Sequence, residues 1–260
     1  MSAASQASED DGRPRANLVE EGGRLAEGAR GLGARIGIAG GVGVAMRCPS
    51  ARTPPLARTY ADIDVVGRSD QRRQIKAAFE QLGYVPDEGF NLLQGDTRLL
   101  FWDTVNERQV DVILDRLEMC HTIELTKRLE ASEELSLPLA DLLLFKLQIM
   151  ETNRKDLVDA AALLLDHPFT PDESGINITY LTQLTSANWG LWRTTTLIAE
   201  RVSEFAETLD GLSENQRDTV RARVREYIDT LDGSEKSRAW RLRARIGERK
   251  RWYALPEEVQ

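Results

Sequence analysis

The chain has 260 residues, of which 41% are hydrophobic and 29% are charged, and its formal net charge at pH 7 is −8. This composition is typical of a globular protein with a hydrophobic core. No apolar run approaches the roughly 18 residues that would span a membrane. The first thirty residues lack the apolar core of a signal peptide, so we predict a cytoplasmic protein with no membrane contact. The two cysteines, Cys48 and Cys120, have no metal-binding spacing and are predicted to be free thiols.

The sequence of the first part of the chain predicts a tail followed by a small α/β domain. Residues 1–15 are polar and aperiodic, which favours disorder. The helical spacing of apolar residues predicts a first helix over residues 18–29. A short strand at 36–39 then runs into Gly40-Gly41, and a second helix is predicted at 42–46.

The rest of this domain is predicted to be a sheet with flanking helices. Residues 48–57 form a loop rich in proline and arginine. A helix that begins at Ser69 or Asp70 as its N-cap follows the first long strand. Further strands are predicted at 61–66 and 109–114, with two short strands between them at 90–94 and 98–102. We therefore place a domain with a mixed or antiparallel sheet at residues 16–135.

Residues 136–260 are predicted to form a helical domain. Helices are expected around 142–149, 157–165, 191–209, 214–231 and 235–252. Ser213 and Gln216 have the spacing of a capping box at the start of the fourth helix. The predicted fold class is therefore α+β, with a small mixed β-sheet domain followed by a helical C-terminal domain.

Two carboxylates lie on one face of the strand predicted at 61–66. Asp62 and Asp64 project together because alternate strand residues face the same side. Neighbouring carboxylates repel each other and are costly to desolvate, and a divalent cation offsets that cost. Magnesium takes oxygen ligands and commonly bridges carboxylates to phosphates. The alternative is a solvated strand edge, which is a common setting for such a pair.

Two further features favour the metal site. Asp111 faces away from Val110 and Val112, so it completes a three-carboxylate cluster if its strand lies beside the strand of Asp62 and Asp64. Such a cluster suits two metal ions. The pair Gly40-Gly41 lies between a strand and a helix, where its amides can receive phosphate oxygens.

These motifs resemble those of the nucleotidyltransferase superfamily of DNA polymerase β. The resemblance is nearest to the bacterial branch of AbiE-type abortive-infection toxins and mycobacterial MenT-type toxins. It implies that the glycine pair opens a phosphate-binding turn, that the two strand aspartates bind metal and that the later aspartate completes the site. The superfamily often has Gly-Ser at the position of the glycine pair. The motifs are Gly40-Gly41, Arg58-Thr59-x-x-Asp62-Ile63-Asp64 and Val110-Asp111-Val112.

The helical half carries two motifs similar to those of the toxin branch. The resemblance implies that Lys146 contacts the nucleotide phosphates and that the second motif, with Lys155, Asp156 and Asp159, contributes an essential acid. The alternatives are a surface pair between Lys155 and Asp159, and a Lys146 that reaches solvent along its helix. Which of the three residues after Lys146 carries the chemistry stays open.

Arg58 and Thr59 are expected beside the nucleotide because they precede the metal-binding aspartates. Arg58 either holds a phosphate or pairs with one of the aspartates. The last part of the chain, from Lys236 to Arg251, has eight basic residues and one acid, Glu248. Together with Trp240 and Trp252 it offers phosphate contacts and stacking surfaces for RNA, or else it is a solvated terminal helix.

The resemblance implies transfer of a nucleoside monophosphate from a nucleoside triphosphate to an acceptor hydroxyl, with release of pyrophosphate. Mg²⁺ or Mn²⁺ is the implied cofactor. The acceptor is tRNA or another RNA by the toxin resemblance, and an antitoxin protein is a further implied partner. A small hydroxylated molecule and a protein hydroxyl are alternative acceptors. A catalytically inactive nucleotidyltransferase fold that serves as a binding module is the alternative to an enzyme.

Overall fold

A five-stranded sheet lies at the centre of the N-terminal half in the computed structural model, which describes residues 12–131 and 133–255. Its spatial order is β1-β2-β5-β4-β3. Strands β2 and β5 are parallel, and the other neighbouring pairs are antiparallel, so the sheet is mixed. The strands are β1 (Gly37–Ile38), β2 (Ile63–Gly67), β3 (Val85–Pro86), β4 (Arg98–Asp103) and β5 (Arg108–Leu114).

Four helices accompany this sheet: α1 (Leu18–Gly31), α2 (Gly40–Arg47), α3 (Arg72–Gln81) and α4 (Glu88–Gln94). The alternation of β2 and β5 buries Ile63, Val65, Val110 and Val112 in a core that α1 and α3 complete. Since strand side chains alternate, Asp64 and Asp111 lie on the opposite face of the sheet. That face is directed toward the helical half, where Val66 joins the second hydrophobic cluster.

The second half of the described chain is largely helical. It contains α5 (Leu139–Leu147), α6 (Arg154–Asp166), α7 (Ile178–Ala187), α8 (Trp189–Thr208), α9 (Glu214–Gly233) and α10 (Arg238–Ile246). One hydrophobic cluster runs through α5 to α9 and includes Val44 of α2. The molecule is therefore mixed α+β, as predicted. None of the helices in the described part of the chain has the length and apolar character needed to cross a membrane.

The structure contains two further two-stranded sheets, which were not predicted. The first pairs β6 (Arg116–Glu118) with β7 (Thr122–Glu124), and the second pairs β8 (Phe169–Thr170) with β9 (Ile176–Asn177). Helix α7 was also not predicted, although Asn177 caps it by accepting the Tyr180 amide. The predicted capping box of Ser213 and Gln216 is confirmed at the start of α9.

The strand predicted at 90–94 is wrong, because these residues form helix α4. The Asp87 carboxylate accepts the Phe90 amide and caps the helix, while Asn91 bonds to the backbone of Leu100 on β4. The predicted cap of α3 is also wrong. A turn of 3-10 helix precedes α3, and the Asp70 carboxylate accepts hydrogen bonds from Arg68 instead.

The tail predicted to be disordered lies mostly outside the described residues, which begin at Gly12. Residues 12–15 have defined contacts. The Arg15 amide donates to the Glu21 carboxylate at 2.8 Å, and Arg108 donates to the carbonyl oxygens of Arg15 and Ala16. Cys48 and Cys120 are both free and buried.

Candidate active site

A cleft of about 180 Å³ lies where the sheet, α2 and the helical half meet. It brings together side chains that are far apart in sequence. Seven of its lining residues were predicted as site residues: Gly41, Arg58, Asp62, Asp64, Lys146, Lys155 and Asp156. Gly40 adjoins the cleft through Asp64, whereas Thr59 lines a neighbouring cavity instead.

Asp62 and Asp64 form the acidic wall of this cleft. Asp62 lies one residue before β2 and is exposed, whereas Asp64 lies within β2 and is half-buried. Burial and the neighbouring carboxylate of Asp62 raise the pKa of Asp64 to about 6, against the opposing charge of Lys146. Neither carboxylate has an ion-pair partner among residues 12–131 and 133–255. The cations that line the cleft, Arg58, Lys146 and Lys155, therefore face these two carboxylates without forming an ion pair with either of them.

Asp111 lies beside Asp64, as the metal-site prediction requires. The two residues are register partners on the parallel strands β2 and β5, so their side chains share a face. However, Arg98 on β4 donates from Nε to Asp111 Oδ1 at 2.8 Å and pairs with the second oxygen as well. In the part of the chain that the structure describes, no three His, Cys, Asp or Glu residues form a metal-binding group. Sequence reasoning did not identify Arg98.

Gly40 and Gly41 allow charged side chains to lie directly against the backbone of α2. A Cβ atom on Gly40 would lie 1.8 Å from Asp64 Oδ2, and one on Gly41 would lie 1.9 Å from Arg58 Nη2. Gly40 also has a φ of +56°, which side-chain-bearing residues rarely adopt. No side chain of the described chain caps α2, whose N-cap is Ala39. Its first amides are thus available where Gly41 lines the cleft.

A buried ionic network forms the opposite wall. Lys146 Nζ lies 3.1 Å from Asp156 Oδ1 and 2.9 Å from Asp159 Oδ2. Burial lowers the pKa of Lys146, but the two carboxylates outweigh this effect and raise it. Lys146 is thus a charged residue that faces anions, which is one of the two alternatives considered from the sequence.

Arg58 joins this network through Asp159. Its Nε and Nη2 donate to the two Asp159 oxygens at 2.8 and 2.7 Å, and its guanidinium lies over the Tyr60 ring at 4.3 Å. Arg58 therefore pairs with an aspartate of α6. The surface pair considered between Lys155 and Asp159 is wrong, since Asp159 is fully buried and bound by Arg58 and Lys146.

The N-terminus of α6 also faces the cleft. Asn153 caps this helix by accepting the Asp156 amide at 3.2 Å, and Asn153, Lys155 and Asp156 all line the cleft. The N-termini of α2 and α6 thus converge with Lys146 on one small space. A helix N-terminus carries a partial positive charge and exposed amides, both of which favour an anion.

The donor set of the cleft fits a divalent cation that is shared with a phosphate ligand. Magnesium commonly takes one or two carboxylates and completes its octahedron with waters and phosphate oxygens. Asp62 and Asp64 supply two such carboxylates. The raised pKa of Asp64 means that its ionised form is disfavoured here, and a bound cation would stabilise that form. Asp111 would become a third ligand after its separation from Arg98.

The basic C-terminal segment differs from its prediction. Helix α10 is shorter than expected, and Trp240 within it and Trp252 after it both pack on α8. The Trp240 ring lies 5.2 Å from Trp192, and the Trp252 ring lies 5.8 Å from Trp189. Trp252 Nε1 also donates to Thr194 at 3.0 Å. Both rings are half-buried, so packing on α8 covers part of the surface that was predicted to stack on RNA bases.

Comparison with known proteins does not assign a family to the chain. A scan against models of protein families finds no match, and a search of the curated proteins finds none either. The resemblance to nucleotidyltransferases therefore stays a prediction from the sequence motifs. We base the functional proposal on the geometry of the cleft.

Proposed function

We propose that this chain is a metal-dependent nucleotidyltransferase of the DNA polymerase β type. One observation carries the proposal: Asp62 and Asp64 face the N-termini of two helices and Lys146 across one small polar cleft. A metal–triphosphate complex has both kinds of charge that this arrangement accommodates. Its cation matches the carboxylates, and its phosphate oxygens match the amides and the lysine.

Each wall of the cleft has a distinct role in the proposed reaction. The amides at Gly40-Gly41 and the N-terminus of α6 bind phosphate oxygens. An ammonium group has three N–H donors, and two carboxylates engage Lys146, so a further donor is available to a phosphate in the cleft. Arg58 and Asp159 orient this lysine and keep the α6 wall in place.

The proposed reaction joins an acceptor oxygen to the α-phosphorus of the triphosphate. The bond to the bridging oxygen breaks, and pyrophosphate leaves with that electron pair while the hydroxyl proton passes to solvent. A divalent cation at Asp62 and Asp64 would supply charge neutralisation on the phosphates. Asp156, whose carboxylate already bonds to Lys146, holds the lysine at the phosphate side of the cleft.

RNA is the proposed acceptor class, with a tRNA end as the first candidate. The sequence resemblance to the toxin branch suggests it. The exposed arginines of α10 give it a second basis, because they carry positive charge on a chain whose formal net charge is −8. An antitoxin partner is implied by the same resemblance and has no separate basis in the contacts of the cleft.

Thermal stability with nucleotides tests the proposal directly. Unfolding is followed with each nucleoside triphosphate, with and without magnesium, on the wild type and on Asp62→Ala/Asp64→Ala. A ligand at 100 times its Kd stabilises a protein by about 2.7 kcal/mol, so a metal-dependent rise of several degrees is expected. The charge-matched control is Asp210→Ala/Asp229→Ala, which removes two exposed carboxylates outside the cleft.

The control should respond to nucleotide like the wild type, and the cleft variant should not respond. Transfer of labelled nucleotide to total tRNA then tests the acceptor. The absence of any shift at millimolar nucleotide with magnesium would contradict the proposed activity.

An inactive fold that serves as a binding module is the second candidate. The ion pair of Arg98 with Asp111 favours it, because this pair occupies the carboxylate that would complete the metal site. Such a module predicts no metal-dependent stabilisation by any nucleotide. The same melting experiment therefore separates the two candidates.

A further inference from the structure

A second cavity, of about 470 Å³, lies beside the cleft. The start of α1 forms one wall, and the segment from Ala57 to Tyr60 forms another. Arg58 and Tyr60 line both spaces, so the two cavities adjoin at this pair of side chains. Thr59, which was predicted to contact a nucleotide, lines this second cavity.

The two spaces differ in chemistry. The cleft is mainly polar, whereas the walls of the second cavity are mainly apolar and include Leu18 and Val19. Flat groups border this apolar space, since the Arg58 guanidinium stacks on the Tyr60 ring at 4.3 Å. Guanidinium and phenol groups of this kind commonly stack on planar rings. Thr59 and Glu20 add polar residues to its lining.

The volumes of the two cavities suit the two parts of a single ligand. Sites for small molecules usually have about 300–1,000 Å³. The cleft, at about 180 Å³, is below that range, so it has room for phosphates and metal but not for a whole nucleotide. A ligand whose phosphates lie in the cleft must extend into neighbouring space, and the second cavity offers an apolar volume there.

We propose that the second cavity binds the purine or pyrimidine ring of a nucleotide whose phosphates lie in the adjoining cleft. This inference rests on the proposed nucleotidyltransferase function. The ring belongs either to the donor triphosphate or to the terminal nucleotide of an RNA acceptor. Both sources have the same chemistry, a planar heteroaromatic ring next to a phosphate, and the experiment separates them.

The test fills the cavity from two lining segments that are distant in sequence. Ala16→Trp and Ala57→Trp each add a bulky side chain at an exposed lining position, where the fold tolerates substitution. The matched control is Ala77→Trp, at an exposed position on α3 that lines neither cavity. Calorimetric titration is performed with magnesium and two probes: a nucleoside triphosphate, and inorganic tripolyphosphate, which has no ring.

If the cavity holds the donor ring, both lining variants lose at least tenfold in triphosphate affinity. Their tripolyphosphate affinity stays within twofold of the control. If the cavity holds the acceptor ring, triphosphate affinity is unchanged, and the KM for tRNA in nucleotide transfer rises at least tenfold in both lining variants.

Three results overturn the inference. In the first, the lining variants match the control in triphosphate affinity and in the KM for tRNA. In the second, both lining variants lose tripolyphosphate affinity as well, which means that the change acts on the cleft and not on a ring. In the third, the wild type binds neither probe, which overturns the proposed function too. The first two leave the proposed function intact, so the two failures are distinguishable.

Discussion

The carboxyl group of Asp64 lies in surroundings that disfavour its ionised form. Its pKa is raised to about 6 by burial and by Asp62, so the native state binds a proton at this carboxyl more tightly than the unfolded chain does. A raised native pKa gives stability that is present at low pH and is lost as the pH rises through about 6. At neutral pH the ionised carboxylate therefore costs stability, and a bound cation would offset that cost.

Replacement of this carboxylate should stabilise the ligand-free protein. Asp64→Asn keeps the shape and removes the charge, so we expect an increase in the free energy of unfolding on the order of 1 kcal/mol at pH 8. The gain should disappear at pH 4, where the wild-type carboxyl is protonated. Urea denaturation at the two pH values measures it.

Asp111→Asn is the control for this effect, because Asp111 is the register partner of Asp64 on the adjacent strand. Its carboxylate is paired with Arg98, so its removal breaks an ion pair and should give no gain at pH 8. A destabilised Asp64→Asn at pH 8 would contradict the conclusion that the ionised form of Asp64 is disfavoured.

Asp159 should matter more to stability than Asp156, although both bind Lys146. Asp159 is fully buried and also holds Arg58 through two hydrogen bonds. Asp159→Asn removes the ion-pair partner of the half-buried Arg58 and one of the two partners of Lys146, and the expected loss is about 3–5 kcal/mol. Asp156→Asn should cost less, because Lys146 keeps its contact with Asp159. Denaturation of the two variants compares them, and equal losses would contradict this ranking.

The positions of two charged side chains in the cleft depend on the backbone at the start of α2. The backbone at Gly40 and Gly41 is in contact with Asp64 and Arg58, and any side chain would displace these groups. The same close contact keeps the first amides of the helix open toward the cleft. The two glycines therefore have a steric role in the site in addition to conformational freedom.

Gly41→Ala should destabilise the protein by about 1–3 kcal/mol and abolish the nucleotide response, because its Cβ would collide with the Arg58 guanidinium. The matched control is Gly23→Ala, in the middle of α1, where a Cβ would meet no atom within 4 Å. Alanine has the higher helix propensity, so this control should gain about 0.5–1 kcal/mol. Thermal melting with and without magnesium nucleotide measures both. A Gly41→Ala protein that behaves like Gly23→Ala would contradict the steric role.

Strands β2 and β5 could be predicted because their alternation is regular and their carboxylates interrupt apolar runs. Helix α4 was assigned wrongly because residues 90–94, Phe-Asn-Leu-Leu-Gln, are too few for periodicity to distinguish a helix from a strand. The N-cap formed by Asp87 stabilises the helix, in which the side chains of Leu92 and Leu93 are 86% and 82% exposed. The pairing of Arg98 with Asp111 depends on the register between β4 and β5, which sequence periodicity does not specify.

The partners of Lys146 could not be predicted for a similar reason. Its helix is apolar on nearly every side, so the sequence indicates that Lys146 either faces an anion or reaches solvent along the helix, and it does not identify the anion. Asp156 and Asp159 lie on the next helix along the chain, and only the packing of α5 against α6 places them within 3.1 Å of the lysine. Contacts of this kind depend on the tertiary structure as a whole.

At the scale of the whole molecule, the segment from Lys236 to Arg251 is strongly basic, with eight basic residues and one acid, although the chain has a formal net charge of −8. The tryptophans of this segment pack on α8, and Arg243 lies over Trp189 at 4.5 Å. Exposed arginines on α10, including Arg241 and Arg245, are directed to solvent. Packing and any binding of RNA therefore depend on different residues of one segment.

This separation predicts two distinct outcomes from two substitutions. Arg241→Glu/Arg245→Glu should weaken tRNA binding and reduce its dependence on salt, by about 0.7 in the slope of log K against log salt for each phosphate that the helix no longer binds. The melting temperature of this double variant should not change. Trp252→Phe should lower the melting temperature, because it removes the hydrogen bond to Thr194, and should leave tRNA affinity unchanged. Fluorescence anisotropy at several salt concentrations gives the affinities.

A charge-matched variant identifies any effect of net charge alone. Arg73→Glu/Arg225→Glu reverses two exposed arginines on α3 and α9, so it changes the net charge by the same amount as the α10 variant. If both double variants lose tRNA affinity equally, the attraction is general and α10 is no specific surface for RNA. If the α10 variant alone loses affinity, phosphates contact that helix. If Trp252→Phe loses affinity without a change in stability, the ring takes part in binding, contrary to its inward packing against Trp189.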